Sequence, residues 1–327
     1  MTALQRTLIL ACCLLTGLPL LAQQTAKQFT QVTDYLLYLP EGYANDTTQR
    51  WPLILFLHGA GERGDDIQKV AVHGPAKLVA AGKKLPFIIV SPQCKPNSWW
   101  EPESLYSLLK QLKKDLRVDP DRVYLTGLSM GGFGSFNLGA KHPEEFAAIA
   151  PICGGGDPAD GWKLRHIPMW VFHGAKDRVV PLSASQQMVD AIKPLNPGIR
   201  FTVYPEADHD SWTETYNNDS LFQWFLTHRR FRFTAIQPDA ASLQAVAGTY
   251  RSERGDTVML VLENGALQVQ HGTGQKMPLK AAAADIFFLK EDQPIELQVI
   301  RDAKKNVTGL VLRTDRQEQW KKVPNKK

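Results

Sequence analysis

The chain has 327 residues, an apolar fraction of 43% and a formal net charge of +5. This length is typical of two domains, and the composition excludes a largely disordered chain. Lysines and arginines are mostly interleaved with acidic residues, so the charge pattern does not favour binding to nucleic acid. The basic residues at the C-terminus are interpreted as a solvated tail: Lys321, Lys322, Lys326 and Lys327.

The N-terminus has the layout of a secretory signal peptide. Arg6 precedes an apolar run over residues 7–21, and the small Ala22 is followed by polar residues. We predict cleavage after Ala22, and hence a periplasmic or extracellular protein. Gly17 and Pro19 interrupt a run that is already short for a bilayer, which argues against a retained membrane span.

Cleavage would leave two cysteines, Cys94 and Cys153. Spacing alone does not show whether their Cα atoms are close enough to form a disulfide. Two unpaired, half-buried thiols are an equally good interpretation, because both residues follow apolar, strand-like runs.

From about Asp34 to Arg230, short apolar runs alternate with longer amphipathic ones. Continuous apolar runs of this length are typical of strands buried on both faces. The predicted strands are 52–57, 86–90, 122–126, 146–152, 168–172 and 200–204, and the predicted helices are 105–116, 130–141, 183–192 and 220–228. The alternation predicts an α/β fold with a mostly parallel sheet and helices on both of its faces.

The pattern changes after about Phe233, where a short helix at 242–247 is followed by short strands only. Asn264-Gly265 is a strong signal for a two-residue hairpin. The predicted strands are 257–262, 266–270, 286–289, 295–300 and 307–312. We therefore expect a signal peptide at 1–22, an α/β domain at 23–235 and a small all-β barrel or sandwich at 236–327.

A G-x-S-x-G motif at 127–131 follows the predicted strand 122–126 and precedes the predicted helix 130–141. Between a strand and a helix, this motif is typical of a nucleophile elbow, whose sharp turn projects the serine above the sheet. A side chain at either flanking glycine would collide with the neighbouring strand or helix. The sequence therefore predicts that Ser129 is a nucleophile.

A serine hydroxyl needs an adjacent base, and in this arrangement the acid and the histidine follow in that order along the chain. Asp177 follows the strand 168–172, and His209 follows the strand 200–204. We predict that His209 accepts the proton of Ser129 and that Asp177 orients the imidazole. Asp208 and Asp210 flank the histidine and are weaker alternatives for the acid.

Two backbone N–H groups should stabilise the developing oxyanion. One belongs to Met130, the residue after the nucleophile. The other belongs to the loop that follows the strand 52–57, with Ala60 as the first choice and Gly59 as the second.

Tryptophans near these motifs are candidates for substrate contacts. Trp99, Trp100 and Trp212 could line an acyl or aromatic pocket, and Trp212 lies three residues beyond His209. Core packing is the alternative for each, since tryptophan is highly buried on average. Asp65 and Asp66 lack further partners at metal-ligand spacing, so we expect neither a metal nor another cofactor.

Five separated motifs resemble secreted α/β-hydrolases of the phospholipase/carboxylesterase-like group, which is also described as predicted peptidases. The motifs are 57–66, 127–134, 151–156, 173–177 and 209–216, and the resemblance covers about 33–226. This group is similar to feruloyl and acetyl-xylan esterases and to polyhydroxybutyrate depolymerases. More weakly, 247–251 and 307–312 resemble the lipocalin-like β-domain appended to some serine hydrolases, which implies no catalytic residue.

The resemblance and the residues together predict a serine esterase that forms an acyl-enzyme on Ser129. Its substrate would be a small-molecule or polysaccharide-linked ester, including feruloyl and acetyl esters. Two alternatives remain: a serine peptidase of the prolyl-oligopeptidase type, and a non-catalytic protein that binds glycan or a partner. The sequence does not indicate the oligomeric state.

Overall fold

The structure is a computed structural model that describes residues 32–324. The predicted signal peptide with its cleavage site after Ala22 lies outside the described residues, as do Lys326 and Lys327. Within the described part of the chain, no helix is both long and apolar enough to cross a membrane.

A seven-stranded mixed sheet forms the first half of the described chain. The strands are β1 (Tyr35–Tyr38), β2 (Trp51–Leu57), β3 (Ile88–Pro92), β4 (Val118–Leu128), β5 (Ala148–Ile152), β6 (Trp170–Gly174) and β7 (Arg200–Tyr204). Their order in the sheet is β1-β3-β2-β4-β5-β6-β7. Strand β1 runs antiparallel to β3, and the other neighbouring strands are parallel. The mostly parallel sheet predicted from the apolar runs is confirmed.

Helices cover both faces of this sheet. They are α1 (Gly74–Ala80), α2 (Pro102–Asp115), α3 (Met130–Lys141), α4 (Leu182–Ile192), α5 (Trp212–Asn217) and α6 (Asp219–Leu226). Strand β2 shows why two layers are needed. Leu53, Leu55 and Leu57 belong to one hydrophobic cluster, whereas Ile54 and Phe56 belong to another. Alternate residues of a strand point to opposite faces, so β2 is buried on both.

Three elements of this half were not predicted: β1, α1 and α5. Strand β1 has only four residues, and all four are partly or largely exposed. Helix α1 begins at Gly74-Pro75, a pair that is more typical of a turn. Proline at the start of a helix is nevertheless favourable, because its missing N–H has no partner there anyway.

A nine-stranded antiparallel sheet forms the second half. Helix α7 (Ala240–Val246) precedes the strands β8 (Gly248–Ser252), β9 (Thr257–Glu263), β10 (Ala266–His271), β11 (Met277–Pro278), β12 (Lys280–Ala283), β13 (Ile286–Phe288), β14 (Glu296–Arg301), β15 (Val307–Arg313) and β16 (Gln317–Lys322). The order is β11-β10-β9-β8-β16-β15-β14-β13-β12. Strands β11 and β12 at the two edges are joined by Leu279 alone. The sheet therefore curls into a nearly closed barrel, here called the C-terminal barrel, rather than a sandwich.

Two expectations about the C-terminal barrel have different outcomes. Asn264 and Gly265 both have positive φ, 51° and 77°, as a two-residue hairpin of the predicted kind requires. The prediction of a solvated tail is wrong for Lys321 and Lys322, which lie in β16. The ammonium group of Lys322 donates a hydrogen bond to the carbonyl of Ala245.

A buried cluster of charges joins the C-terminal barrel to the first half of the chain. The Glu296 carboxylate accepts hydrogen bonds from Arg165 and Arg313, each at 2.8 Å, and lies 2.9 Å from the His166 ring. Its side chain is only 3% exposed. Burial raises the pKa of Glu296, but His166 and Arg165 outweigh burial and lower the pKa to about 2. The cluster therefore holds an ionised carboxylate between two buried arginines.

The contacts of the C-terminal barrel lie at the amino ends of the parallel strands. Arg165 and His166 immediately precede β6, and Phe233 stacks on Phe288 of the barrel with ring centroids 4.7 Å apart. Ser129, Asp177 and His209 follow the carboxyl ends of β4, β6 and β7. These contacts do not place the barrel as a lid over the predicted site.

Glu296→Gln should destabilise the protein, because it leaves Arg165 and Arg313 buried without a counter-charge. We expect a loss of about 3 kcal/mol in the free energy of unfolding near pH 7, measured by denaturant titration. The pKa of Glu296 is lowered below its ordinary 4.5. In the wild type, the ionised Glu296 carboxylate therefore stabilises the folded state above about pH 4.5. This stabilisation is lost as the pH falls towards about 2 and the carboxylate is protonated.

Glu291→Gln is the matched control, since Glu291 forms an exposed ion pair with Lys280 at 2.9 Å. Exposed pairs contribute less than about 1 kcal/mol. Equal losses in the two variants would contradict a structural role for the buried cluster.

Candidate active site

The tight turn between β4 and α3 positions Ser129. Ser129 has φ 51° and ψ −116°, a strained conformation for a residue other than glycine. A Cβ atom at Gly131 would lie 1.9 Å from the carbonyl oxygen of Leu57, and one at Gly127 would lie 2.3 Å from the carbonyl oxygen of Gly131. Only glycine fits at these two positions, as the motif predicts. The turn therefore lifts the Ser129 side chain above the carboxyl edge of the sheet.

The structure brings Ser129, His209 and Asp177 together in a hydrogen-bonded chain. The Nε2 atom of His209 lies 3.0 Å from the Ser129 hydroxyl, and its Nδ1 atom lies 2.8 Å from Oδ2 of Asp177. The other carboxylate oxygen of Asp177 accepts hydrogen bonds from the N–H groups of Val179 and Val180. Burial raises the pKa of Asp177, but the hydrogen bonds from His209 and the two N–H groups outweigh it and lower the pKa. The carboxylate therefore stays ionised beside the imidazole.

The two aspartates that flank His209 face other partners. Asp208 accepts a hydrogen bond from the backbone N–H of His209 at 2.9 Å. Asp210 accepts hydrogen bonds from the N–H and the hydroxyl of Thr213 in the first turn of α5. Neither carboxylate has a hydrogen bond to the His209 ring among the described contacts, so the geometry favours Asp177.

Two backbone N–H groups are the predicted donors to an oxyanion. Met130 is the first residue of α3, and Ala60 is the first residue of a 3-10 turn, Ala60–Glu62. The first N–H groups of a helix have no partner within it, and the helix dipole adds a partial positive charge. Both groups are thus available to a developing negative charge.

His58 fixes the direction of the Ala60 N–H, a role that the sequence did not reveal beyond shaping of the loop. Its Nε2 accepts a hydrogen bond from the N–H of Cys94 at 3.0 Å, so the ring proton lies on Nδ1. Nδ1 donates to the carbonyl of Gly59 at 2.6 Å. In a trans peptide the N–H of Ala60 points away from that carbonyl. Burial lowers the pKa of His58 to about 4, so the ring remains neutral.

Arg63 braces the same loop. Its Nε donates to the carbonyl of Ala60 at 3.0 Å, and its Nη1 donates to the carbonyl of Ser98 at 3.1 Å. The carboxylate of Glu62 lies beside the loop, with Oε1 3.8 Å from the His73 ring and Oε2 4.0 Å from the His58 ring. Arg63 therefore holds the loop that carries Gly59 and Ala60, whereas Glu62 makes no hydrogen bond to either ring among the described contacts.

The three tryptophans occupy different positions. Trp212 packs edge-on against His209, with ring centroids 5.2 Å apart. Trp99 is 65% exposed and packs edge-on against Phe133, whose N–H donates to the carbonyl of Ser129. Trp100 fits the alternative of core packing. Trp100 is buried, and its indole N–H donates to the carbonyl of His58 beneath the loop.

Cys153 lies behind the hydrogen-bonded chain. One potential ligand atom from each of Cys153, Asp177 and His209 lies within 4.8 Å of the other two, the spacing of a metal site. Metals bind the thiolate form of cysteine. Burial raises the pKa of Cys153 to about 12, so the thiol is protonated at neutral pH. Cys94 and Cys153 are unpaired and fully buried, rather than half-buried.

Comparisons with known proteins identify related sequences. The model of the dienelactone hydrolase family matches residues 102–222, the segment that includes Ser129, Asp177 and His209. The bifunctional acetylxylan esterase/xylanase XynS20E of Neocallimastix patriciarum is 25% identical over 229 residues, which cover 65% of this chain and 32% of that protein. Feruloyl esterase C of Emericella nidulans is 28% identical over 160 residues, which cover 46% of this chain and 56% of that protein.

A solved structure of a thermostable esterase has a similar fold. It is 32% identical and superposes with a TM-score of 0.53 over 60% of this chain and 59% of its own. The chain thus has an α/β-hydrolase-type fold with a mixed sheet and an added C-terminal barrel. It spans less than two thirds of the length of each of these relatives. The similarities support a carboxylic ester hydrolase.

Asp177→Asn should slow the covalent labelling of Ser129 by a fluorophosphonate. The amide cannot stabilise the imidazolium that forms, so we expect a rate lower by about three to four orders of magnitude. Gel fluorescence over time measures that rate. Asp210→Asn, a control on the same loop as His209, should keep a rate close to that of the wild type. Similar slowing in both variants would contradict the assignment of Asp177.

Proposed function

We propose that this protein is a serine esterase that hydrolyses carboxylic esters through an acyl-enzyme on Ser129. The hydrogen-bonded chain from Asp177 through His209 to Ser129 is the main observation behind the proposal. The related acetylxylan and feruloyl esterases support the reaction class.

In the first half of the reaction, the Ser129 hydroxyl attacks the ester carbonyl while His209 accepts its proton. The carbonyl oxygen becomes an oxyanion, which accepts hydrogen bonds from the N–H groups of Met130 and Ala60, with Gly59 as the neighbouring donor. The intermediate then collapses. The C–O bond to the alcohol breaks, and His209 returns the proton to the leaving oxygen.

In the second half, water attacks the acyl-enzyme while His209 again accepts a proton. The same two N–H groups hold the second oxyanion, and its collapse releases the carboxylic acid and restores the Ser129 hydroxyl. Asp177 remains ionised throughout and stabilises the imidazolium at both stages. His58 and Arg63 act through the loop, since they hold the Ala60 peptide in place before substrate binds.

Trp99 and Trp212 are proposed substrate contacts. The exposed ring of Trp99 and the ring of Phe133 form an aromatic surface beside the first turn of α3. Aromatic rings stack on other aromatic rings and on the apolar faces of sugars. This surface suits the aromatic acid or the sugar of a plant-polysaccharide ester. Trp212 packs against His209 on another side and limits the motion of the imidazole.

The reaction class is tested by activity on matched substrates. We expect p-nitrophenyl acetate and methyl ferulate to be hydrolysed, and peptide p-nitroanilides to be cleaved far more slowly or not at all. Preferential cleavage of the anilides would favour a peptidase with the same triad. Failure to turn over either class, together with no fluorophosphonate labelling, would overturn the enzyme proposal.

Ser129→Ala is the variant that assigns the nucleophile. It should lower kcat on p-nitrophenyl acetate by about five to six orders of magnitude without lowering the Tm. Ser135→Ala, on the same helix, is the matched control and should retain turnover. Substantial turnover by Ser129→Ala would mean that another residue is the nucleophile.

Trp99→Ala should weaken the use of aromatic esters. Loss of an aromatic contact costs about 0.5–1.5 kcal/mol, so we expect KM for methyl ferulate to rise about twofold to tenfold. KM for p-nitrophenyl acetate, which bears a small acyl group, should change less, and kcat should be unaffected. Trp162→Ala is the control, because Trp162 lies in the turn that precedes β6. Equal effects of both variants would contradict a contact between Trp99 and substrate.

A further inference from the structure

The C-terminal barrel contains a partly open cavity that the proposed esterase reaction does not use. Its volume is about 190 Å³. Val258 and Val269 contribute to its wall from one part of the sheet, and Leu310 and Leu312 contribute from the other. The cavity therefore lies inside the barrel, between the strands β9–β10 and the strand β15.

The wall of this cavity has one chemical character. It presents only apolar atoms to the interior, although His271, Glu296 and Thr314 belong to its lining residues. Three of the lining residues are aromatic: Phe287, Phe288 and Trp320. A charged or strongly polar ligand would lose its hydration here without gaining a hydrogen bond. The apolar wall therefore favours an uncharged hydrocarbon group as the ligand.

The volume limits the size of a ligand. Protein interiors are close-packed and contain few voids larger than a water molecule, and large cavities reduce stability. An engineered cavity of about 150 Å³ with a similar apolar lining binds benzene. Drug-sized ligands occupy pockets of about 300 Å³ or more. The space in the barrel therefore fits a benzene ring with a small substituent.

One end of the cavity adjoins a groove at the junction of the two halves of the chain. Ile295 and Thr314 line both spaces, and Trp162 and Pro143 belong to the opposite wall of the groove. Ile295, in the loop between β13 and β14, therefore lies where the cavity and the groove meet. The cavity is already partly open, so a ligand needs no rearrangement of the barrel to enter it.

We infer that the C-terminal barrel is a binding site for a small uncharged aromatic hydrocarbon group, separate from the proposed esterase site. The inference does not depend on ester hydrolysis. It gives the barrel a recognition role at the edge of the sheet opposite to Ser129.

Toluene is the probe that tests this inference on the full-length protein. Because a ligand that binds only the folded state stabilises it, the Tm should rise with toluene concentration and saturate. Isothermal titration should give a dissociation constant for one site. Prior labelling of Ser129 with a fluorophosphonate should leave that constant unchanged. Absence of saturable binding, or loss of binding after labelling, would overturn the inference.

Val269→Phe places a larger side chain into the cavity and should weaken toluene binding at least tenfold. Val261→Phe is the matched control. Val261 neighbours Leu260 on β9, and Leu260 pairs with Val269 across the sheet, so Val261 points to the outer face. This control should bind toluene like the wild type. Wild-type affinity in Val269→Phe would contradict a site in the barrel.

A second variant that fills the cavity keeps the test decisive if Val269→Phe does not fold. Leu312→Phe enlarges another side chain of the cavity wall, and should also weaken toluene binding at least tenfold. A cooperative thermal unfolding transition like that of the wild type reports that each variant is folded. If a folded Leu312→Phe and a folded Val269→Phe both bind toluene normally, the inference is wrong.

Discussion

The contact between Gly131 and the carbonyl oxygen of Leu57 constrains the whole catalytic half of the molecule. A Cβ at position 131 would lie 1.9 Å from that oxygen, so α3 can begin against β2 only if this residue is glycine. The close approach sets the strained conformation of Ser129 and directs its hydroxyl away from the sheet. The same close approach fixes where α3 begins, and hence the position of the Met130 N–H. The predicted nucleophile and this predicted oxyanion donor thus depend on one steric fit.

The two ends of the parallel strands have different roles. The carboxyl ends of β4, β6 and β7 carry Ser129, Asp177 and His209, as is general for open α/β sheets. Before the amino end of β6, Arg165 forms an ion pair with Glu296 of the C-terminal barrel, and Arg313 of the barrel binds the same carboxylate. Because the barrel packs away from the predicted nucleophile, the proposed ligand of its apolar cavity would not block the proposed ester site. The buried carboxylate keeps the two halves together at the same time.

Sequence patterns predicted the parts of the structure in which a local rule is strong. The bounds of α3 and β7 agree with the prediction, because a glycine-rich turn marks the start of α3 and a run of β-branched and aromatic residues marks β7. Strand β16 was missed because Trp320 is its one fully buried side chain among polar neighbours. The hydrogen bonds of His58 and the cavity in the barrel arise from residues distant in sequence, so no local pattern could predict them. The order of Ser129, Asp177 and His209 along the chain could be predicted from the sequence, but the distances between their side chains could not.

Trapping of the acyl-enzyme is the most direct test of the account. The protein is mixed with p-nitrophenyl acetate, quenched with acid within the first turnover, digested with trypsin and analysed by tandem mass spectrometry. We predict one acetyl group on Ser129 in the peptide 123–141, formed together with a burst of one equivalent of p-nitrophenol, and none in Ser129→Ala. A burst with the acetyl group on another residue, or ester turnover without any acetylated peptide, would contradict the account.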